Sequence, residues 1–177
     1  HIETADYNPE ILQRSNAVIT PTRWADDFIC TRYNNQSFVI PPGLSMAHWY
    51  SGGEHDQYIL WEDVGEPYQE LFRRVTRNER NRHFITTSLV KGGSNVTMVG
   101  GVNDESWATL VKRAAVYITT ITSGFYPERI AHAMAAGVPV ICLNYSCFNE
   151  LVRHGQTGLI VSPTEDSFRG ALAYVTQ

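Results

Sequence analysis

The sequence predicts an α/β domain built on a parallel, doubly wound sheet. Short apolar and β-branched runs alternate with helical patterns from about Tyr58 to the C-terminus. One almost wholly apolar run, residues 138–143, is typical of a strand covered on both faces. Such alternation favours parallel strands, and parallel sheets bind ligands beyond the carboxyl ends of their strands.

The first part of the chain predicts a smaller β-α-β unit. Residues 16–20 and 37–41 have strand patterns, and a helix over residues 24–33 separates them. The Pro-Pro-Gly sequence that follows ends the second strand. The predicted organisation is therefore a short unit at residues 1–45, a linker at 46–57 and the main unit at 58–177.

The main unit shows strands and helices in alternation. Its first four strands are predicted at residues 58–61, 83–88, 95–99 and 116–120. Pro67 opens a helix whose core-facing stripe has the spacing i, i+3, i+4 and i+7, formed by Tyr68, Leu71, Phe72 and Val75. Asn103 is predicted to cap the next helix. The sequence Ser-Pro-Thr-Glu at residues 162–165 predicts a capping box with Pro163 at the first helical position.

The stretch at residues 124–161 is the most informative part of the chain. Pro127 fits the first position of a helix, and Gly137 fits the left-handed residue that ends it. A helix that starts from a glycine-containing loop beside a parallel sheet is a ready site for an anion. We therefore expect any bound phosphate or nucleotide at the start of the helix near Pro127.

This stretch contains H-A-M-A-A-G-V-P-V-I, then E-L-V, then G-Q-T-G-L-I-V. It resembles the donor-binding half of retaining nucleotide-sugar glycosyltransferases of the GT-B fold, the family 4 type. The positions that match that family's pattern are Gly124, Phe125, Ala133, Met134, Ala135, Gly137, Pro139, Val140, Ile141, Glu150, Leu151, Val152, Gly155, Thr157, Gly158, Leu159 and Val161.

The resemblance implies a Rossmann-like GT-B half that binds a nucleotide-sugar as donor substrate, without a metal ion or a separate cofactor. It also implies that residues 1–45 are a remnant, or the last β-α-β unit, of an acceptor-side domain. The residues expected to contact the donor are Gly65, Gly101, Gly124, Phe125, Arg129, His132, Ser146 and Glu150.

The sequence departs from that family at two sites. Ser123 and His132 stand where the family has glutamates, one beside the transferred sugar and one on the ribose, and the interval between them is one residue longer. Glu128 lies four residues before His132, so both should share one helix face and Glu128 could replace a lost acceptor. The candidate catalytic residues are therefore Ser123, Glu128 and His132.

The second departure is in the loop after the first strand of the main unit. The family has Gly-Arg and Lys there, whereas residues 62–67 read Glu-Asp-Val-Gly-Glu-Pro. Carboxylates beside a pyrophosphate repel it, so we expect weakened diphosphate binding. Arg129 is the best placed of the remaining cations, because it lies in the first turn of the predicted anion-binding helix.

Composition excludes several classes of function. A net charge of −4 indicates no nucleic-acid partner, and no apolar run reaches the length of a membrane-spanning helix. The cysteines, three in number, lack metal-ligand spacing and indicate reduced thiols. We expect a cytoplasmic protein, and peripheral attachment to a membrane stays open.

Two functions remain open from the sequence. The first is sugar transfer from a nucleotide-sugar to an acceptor, with slow or no turnover by this chain alone. The second is a non-catalytic domain that keeps the fold for sugar or nucleotide binding or for assembly. A partner chain or a further N-terminal segment would have to supply the acceptor domain if the chain acts as an enzyme.

Overall fold

The structure, a computed structural model, describes residues 9–53, 55–62, 64–122, 124 and 126–176. In chain order its elements are α1 (Pro9–Arg14), β1 (Ile19–Thr20), α2 (Arg23–Tyr33), β2 (Phe38–Val39), α3 (Met46–Trp49), β3 (Tyr58–Glu62), α4 (Gln69–Asn78), β4 (His83–Thr86), β5 (Val96–Met98), α5 (Asp104–Arg113), β6 (Val116–Thr119), α6 (Glu128–Ala135), β7 (Val140–Leu143), α7 (Phe148–Leu151), β8 (Leu159–Val161) and α8 (Glu165–Val175).

The main sheet has six strands in the order β5-β4-β3-β6-β7-β8, and every neighbouring pair is parallel. The chain runs outward from β3 to β5, returns to the other side of β3 and continues through β6 to β8. This is the Rossmann-like doubly wound arrangement that the alternation of elements predicted. Its topological switch point lies between the carboxyl ends of β3 and β6, where such sheets bind ligands.

Helices cover both faces of the sheet. On one face, α4 and α8 contribute Phe72 and Phe168, which pack against Trp61 of β3, and all three side chains are fully buried. On the other face, α5 and α6 contribute Trp107 and Ile130 to a second core. The central strands β3, β6 and β7 are buried at every residue, because both of their faces are covered.

Local signals set several helix ends as expected. Asn103 caps α5, since its side chain accepts a hydrogen bond from the N–H of Ser106. Gly137 follows α6 with a φ of +78°, the left-handed conformation that glycine adopts at low cost. Pro127 was predicted at the first helical position of α6. It is instead the cap residue, and α6 begins at Glu128.

The capping box predicted at residues 162–165 is wrong in register. The cap of α8 is Thr164, whose side chain accepts a hydrogen bond from the N–H of Ser167. Pro163 therefore lies before the cap and outside the helix. Thr164 has the extended backbone of a cap residue, with φ −124° and ψ 150°, and α8 begins directly after it at Glu165.

The N-terminal elements form a small unit in which β1 and β2 pair in parallel, and α2 connects them along the chain. Its strands have two residues each, shorter than the sequence pattern predicted. The predicted linker contains one turn of helix, α3, whose Trp49 is buried against the main unit. No helix among the described residues is long and apolar enough to cross a membrane.

Candidate functional site

The carboxyl edge of the sheet brings together the loops that the sequence predicted to meet a donor. Gly65 follows β3, Gly101 follows β5, Gly124 follows β6 and Ser146 follows β7. Gly101 and Gly124 have positive φ angles of +65° and +99°, so these loops turn where a side chain would cause strain. Of the other residues in these loops that the sequence singled out, Ser123, Phe125 and Asp63 lie outside the described residues.

A cavity of about 630 Å³ lies between α3, α5 and α6, and its lining extends along α5 from Asp104 to Lys112. Two indoles, Trp49 and Trp107, form part of its wall. The polar side chains around it include carboxylates and cations: Ser45, His48, Asp104, Glu105, Thr109, Lys112, Glu128, Arg129 and His132. Since α5 and α6 both begin at the carboxyl edge of the sheet, the part of the cavity lined by Asp104, Glu105 and Glu128 lies at that edge.

His132 lies in the wall of this cavity and is almost buried, with 8% of its surface exposed. Its ring stacks on Trp49 at a centroid distance of 3.7 Å, and its Nδ1 accepts a hydrogen bond from the indole N–H of Trp107 at 3.2 Å. Burial lowers the pKa of His132 below its ordinary value, although the Glu128 carboxylate opposes that shift. The imidazole is therefore held neutral, with its remaining hydrogen on Nε2.

Glu128 and His132 share one face of α6, as their spacing predicted. Oε1 of Glu128 lies 3.7 Å from Nε2 of His132, and the Glu128 side chain is 67% exposed. The carboxylate is thus free to accept hydrogen bonds from a molecule in the cavity. A ligand hydroxyl placed here would meet an acceptor on Glu128 and a donor on His132.

Arg129 is held by contacts within the protein. Its guanidinium lies over the Trp107 ring, 4.2 Å from the centroid, and its Nε lies 3.4 Å from Oε1 of Glu62. Nη1 is buried and has no hydrogen-bond partner among the described residues. Arg129 is therefore already engaged by Glu62 and Trp107, and the hydrogens of its Nη1 are unused among the described residues.

Glu62 is one of the carboxylates that the sequence placed in an acidic loop after β3, and it has partners within the protein. It is the last residue of the strand and is 8% exposed. Its carboxylate accepts a hydrogen bond from the hydroxyl of Tyr117 on the neighbouring strand and pairs with Arg129. Burial and the Glu62 carboxylate together raise the pKa of Tyr117, so its proton stays in this hydrogen bond. Among the described carboxylates of the loop, only Glu66 faces solvent.

Glu150, predicted to contact the donor, has other partners. Its two carboxylate oxygens accept hydrogen bonds from the backbone N–H groups of Arg23 and Trp24, each at 2.9 Å. Those groups are the first two N–H groups of α2, which have no partner inside the helix. Glu150 therefore ties the N-terminal unit to the main unit, and we do not assign it to the donor site.

Two residues that shape the cavity were not among the predicted site residues. Trp49 stood in the predicted linker at residues 46–57, and Trp107 in the helix that Asn103 was predicted to cap. Their contacts with His132 depend on how α3, α5 and α6 pack together. Among the described residues, no group of three or more histidine, cysteine or acidic side chains could hold a metal ion.

Residues 72–177 match the family described as glycosyl transferases group 1. The chain belongs to this family. One curated relative, UDP-glycosyltransferase TURAN from Arabidopsis thaliana, is 22% identical over an alignment of 175 residues that covers 92% of this chain and 36% of the relative. The chain thus spans about a third of the length of this relative.

Solved structures share the GT-B fold at lower identity. Sucrose-phosphate synthase from Thermosynechococcus elongatus superposes with a TM-score of 0.74 at 18% identity, over 95% of this chain and 51% of that one. A glycosyltransferase from Rickettsia africae superposes with a TM-score of 0.74 at 13% identity, over 96% of this chain and 55% of that one. Anabaena HepE in complex with UDP and glucose superposes with a TM-score of 0.72 at 12% identity, over 97% of this chain and 58% of that one.

Proposed function

We propose that this chain is the donor-binding half of a sugar transferase and that the cavity between α3, α5 and α6 receives the nucleoside part of a nucleotide-sugar. The observation that carries the proposal is the lining of that cavity beside the switch point of the sheet. Aromatic walls and carboxylates lie there together, a combination that suits a nucleoside.

The charges around the cavity favour the nucleoside over the phosphates. Asp104, Glu105 and Glu128 are acidic, whereas the cations are Lys112, near the C-terminal end of α5, and Arg129, which is paired with Glu62. Carboxylates accept hydrogen bonds from ribose hydroxyls and from the N–H groups of a base, and they repel phosphate. A neutral group rich in hydroxyls and N–H groups therefore fits better than a diphosphate.

The diphosphate is best placed at the start of α6. A second cavity, of about 210 Å³, lies there between Tyr126, Thr119 and Phe148, and it shares Glu128 and Arg129 with the larger one. The positive end of the helix dipole favours an anion at this position. In this arrangement the partly exposed guanidinium of Arg129 donates a hydrogen bond to a phosphate oxygen, and the sugar extends toward Gly124 and Ser146.

Uridine diphosphate is the nucleotide to test first. The curated relative is named a UDP-glycosyltransferase, and the HepE structure contains UDP and glucose. We expect micromolar binding of UDP in calorimetry. Glu128→Gln should weaken it about tenfold or more, because a charged acceptor of a ribose hydroxyl is lost.

Glu70→Gln is the matched control, since Glu70 is exposed on α4, on the other face of the sheet. Arg129→Ala should also weaken binding. If Glu128→Gln and Glu70→Gln bind UDP equally well, the nucleoside does not lie in this cavity. If neither UDP nor GDP binds to the unmodified chain, the donor site is absent.

A non-catalytic role is the second candidate, and His132 favours it. Resemblance to the family places a ribose-binding glutamate at this position, whereas the neutral imidazole here presents a donor on Nε2. A hydrolysis screen over common nucleotide-sugars separates the two roles. Turnover that is lost in His132→Ala supports the transferase. UDP binding without turnover, together with activity gained in the double variant Ser123→Glu, His132→Glu, supports the binding module.

A further inference from the structure

A separate cavity of about 320 Å³ lies at the amino edge of the sheet, at the end opposite the donor loops. Its wall is formed by the later turns of α4 and the segment that leads into β5. The lining residues are Arg73, Arg77, Arg80, Lys91, Gly92, Gly93, Ser94 and Asn95. Nothing in the proposed donor site involves these residues.

The lining contains four cations and no carboxylate, although the whole chain carries a net charge of −4. Arg73 pairs with Glu70 at 3.5 Å and with Gln69. Within the described part of the chain, the Arg77 guanidinium and the Lys91 ammonium have no hydrogen-bond or ion-pair partner. Like charges that converge on one concave space repel each other, and an anion in that space would offset the repulsion.

Cations often bind the free carbonyl groups at the C-terminal end of a helix, but this role does not account for all the cations beside α4. Only Arg80 reaches a carbonyl there, since its Nε donates to the backbone oxygen of Arg77 at 3.1 Å. The nearest carboxylate at the helix end, Glu79, is engaged by Arg82 and Arg169. Arg77 and Lys91 therefore remain available to a ligand.

The cavity wall is held in place by packing and hydrogen bonds. The Asn95 amide donates to the backbone oxygens of Thr76, Glu79 and Arg82 at 3.0, 3.2 and 3.1 Å, which fixes the segment against α4. A Cβ on Gly92 would lie 2.4 Å from Cγ2 of Val96, so this close approach needs glycine. The cations are thus carried by a rigid frame.

We propose that this cavity is a second anion site, which binds the phosphate or diphosphate group of a phosphorylated ligand. Planar guanidinium groups match the oxygens of phosphate, and the backbone of a glycine-containing segment allows close approach. The phosphate belongs either to a free small molecule or to the headgroup of an anionic lipid. The site is independent of the proposed donor function because it lies at the opposite edge of the sheet.

The test is a titration of the ¹⁵N-labelled chain with inorganic pyrophosphate, in which the amide signals at the two edges of the sheet are followed separately. The amide signals of Gly92, Gly93 and Ser94 should shift with increasing pyrophosphate. The double variant Arg77→Gln, Lys91→Gln should weaken binding at least tenfold. The matched control, Arg32→Gln with Arg153→Gln, removes the same charge from exposed positions outside the cavity and should bind as the unmodified chain does.

A parallel sedimentation assay uses phosphatidylcholine vesicles with and without phosphatidylglycerol. A lipid headgroup is the source of the phosphate if the chain binds vesicles with phosphatidylglycerol but not those without it, and if the double variant Arg77→Gln, Lys91→Gln loses this binding. Pyrophosphate binding without vesicle binding identifies a free ligand. The proposal is overturned if neither probe binds, or if both double variants lose binding equally.

Discussion

The indole N–H of Trp107 donates a hydrogen bond to Nδ1 of His132 across the interface between α5 and α6. This contact keeps Nδ1 unprotonated, and the stacked Trp49 covers one face of the ring. Protonation of His132 would therefore break a hydrogen bond and place a charge in a mostly apolar environment. The residue links the stability of the domain to pH.

Stability should fall as the pH drops below the ordinary histidine pKa of 6.5, since burial lowers the pKa of His132 in the folded state. Above that pH both states are neutral at this position and the stabilisation is complete. Below it the unfolded chain binds a proton that the folded chain resists. Urea unfolding of the unmodified chain and of His132→Asn between about pH 5 and 8 measures the effect.

The variant His132→Asn should lose part of this pH dependence, because Asn can accept from Trp107 without titrating near neutrality. His83→Asn is the control, since His83 is exposed at the start of β4. Equal pH profiles for the unmodified chain and His132→Asn would show that His132 does not link folding to protonation.

Tyr117→Phe should lower the free energy of unfolding by about 1–3 kcal/mol, because the buried Glu62 carboxylate loses a hydrogen-bond donor. Tyr174→Phe, a change at an exposed tyrosine of α8, should leave stability unchanged. The measurement is chemical unfolding of both variants. A loss below about 0.5 kcal/mol in Tyr117→Phe would mean that the Glu62 carboxylate is satisfied without the hydroxyl.

Two glycines should respond to alanine in opposite directions. Gly137→Ala should cost about 1–2 kcal/mol because its φ is +78°. Gly170→Ala should add about 0.5–1 kcal/mol, since Gly170 lies inside α8 with open space around a Cβ. Thermal unfolding of the two variants measures whether Gly137→Ala lowers stability and Gly170→Ala raises it. Destabilisation by Gly170→Ala would contradict the helical environment assigned to it.

Glu150→Ala should release the start of α2 from the main unit. The N–H groups of Arg23 and Trp24 lose their acceptors, at a cost of about 1 kcal/mol. Amide exchange of these two residues should then become several times faster than in Glu66→Ala, which removes an exposed carboxylate elsewhere. Unchanged exchange would show that other contacts hold the helix end.

Local sequence patterns predicted the sheet, the helix stripes and the loops at its carboxyl edge. Residues 138–143 and Gly137 were informative because hydrophobic periodicity and glycine conformation act over a few residues. The same patterns also placed Glu128 and His132 on one face of a helix, which the structure confirms.

The role of Glu62 could not be predicted in this way. Its position at the end of a strand marked it as a loop carboxylate, whereas its burial depends on Tyr117, 55 residues away, and on Arg129. Trp49 is a similar case, because its stacking on His132 requires α3 to fold back onto α6. Partners brought together only by tertiary packing leave no pattern in the local sequence.

The most direct test of the donor-site assignment is the shift of the tryptophan indole N–H signals during a titration with UDP. The chain has four tryptophans, and single Trp→Phe variants assign their signals. Trp49 and Trp107 line the proposed nucleoside cavity, whereas Trp61 is buried on the opposite face of the sheet. We predict that the Trp49 and Trp107 signals shift in proportion to bound UDP while the Trp61 signal stays in place. Saturable UDP binding that leaves Trp49 and Trp107 unmoved, or no binding up to about 1 mM UDP, would contradict the assignment.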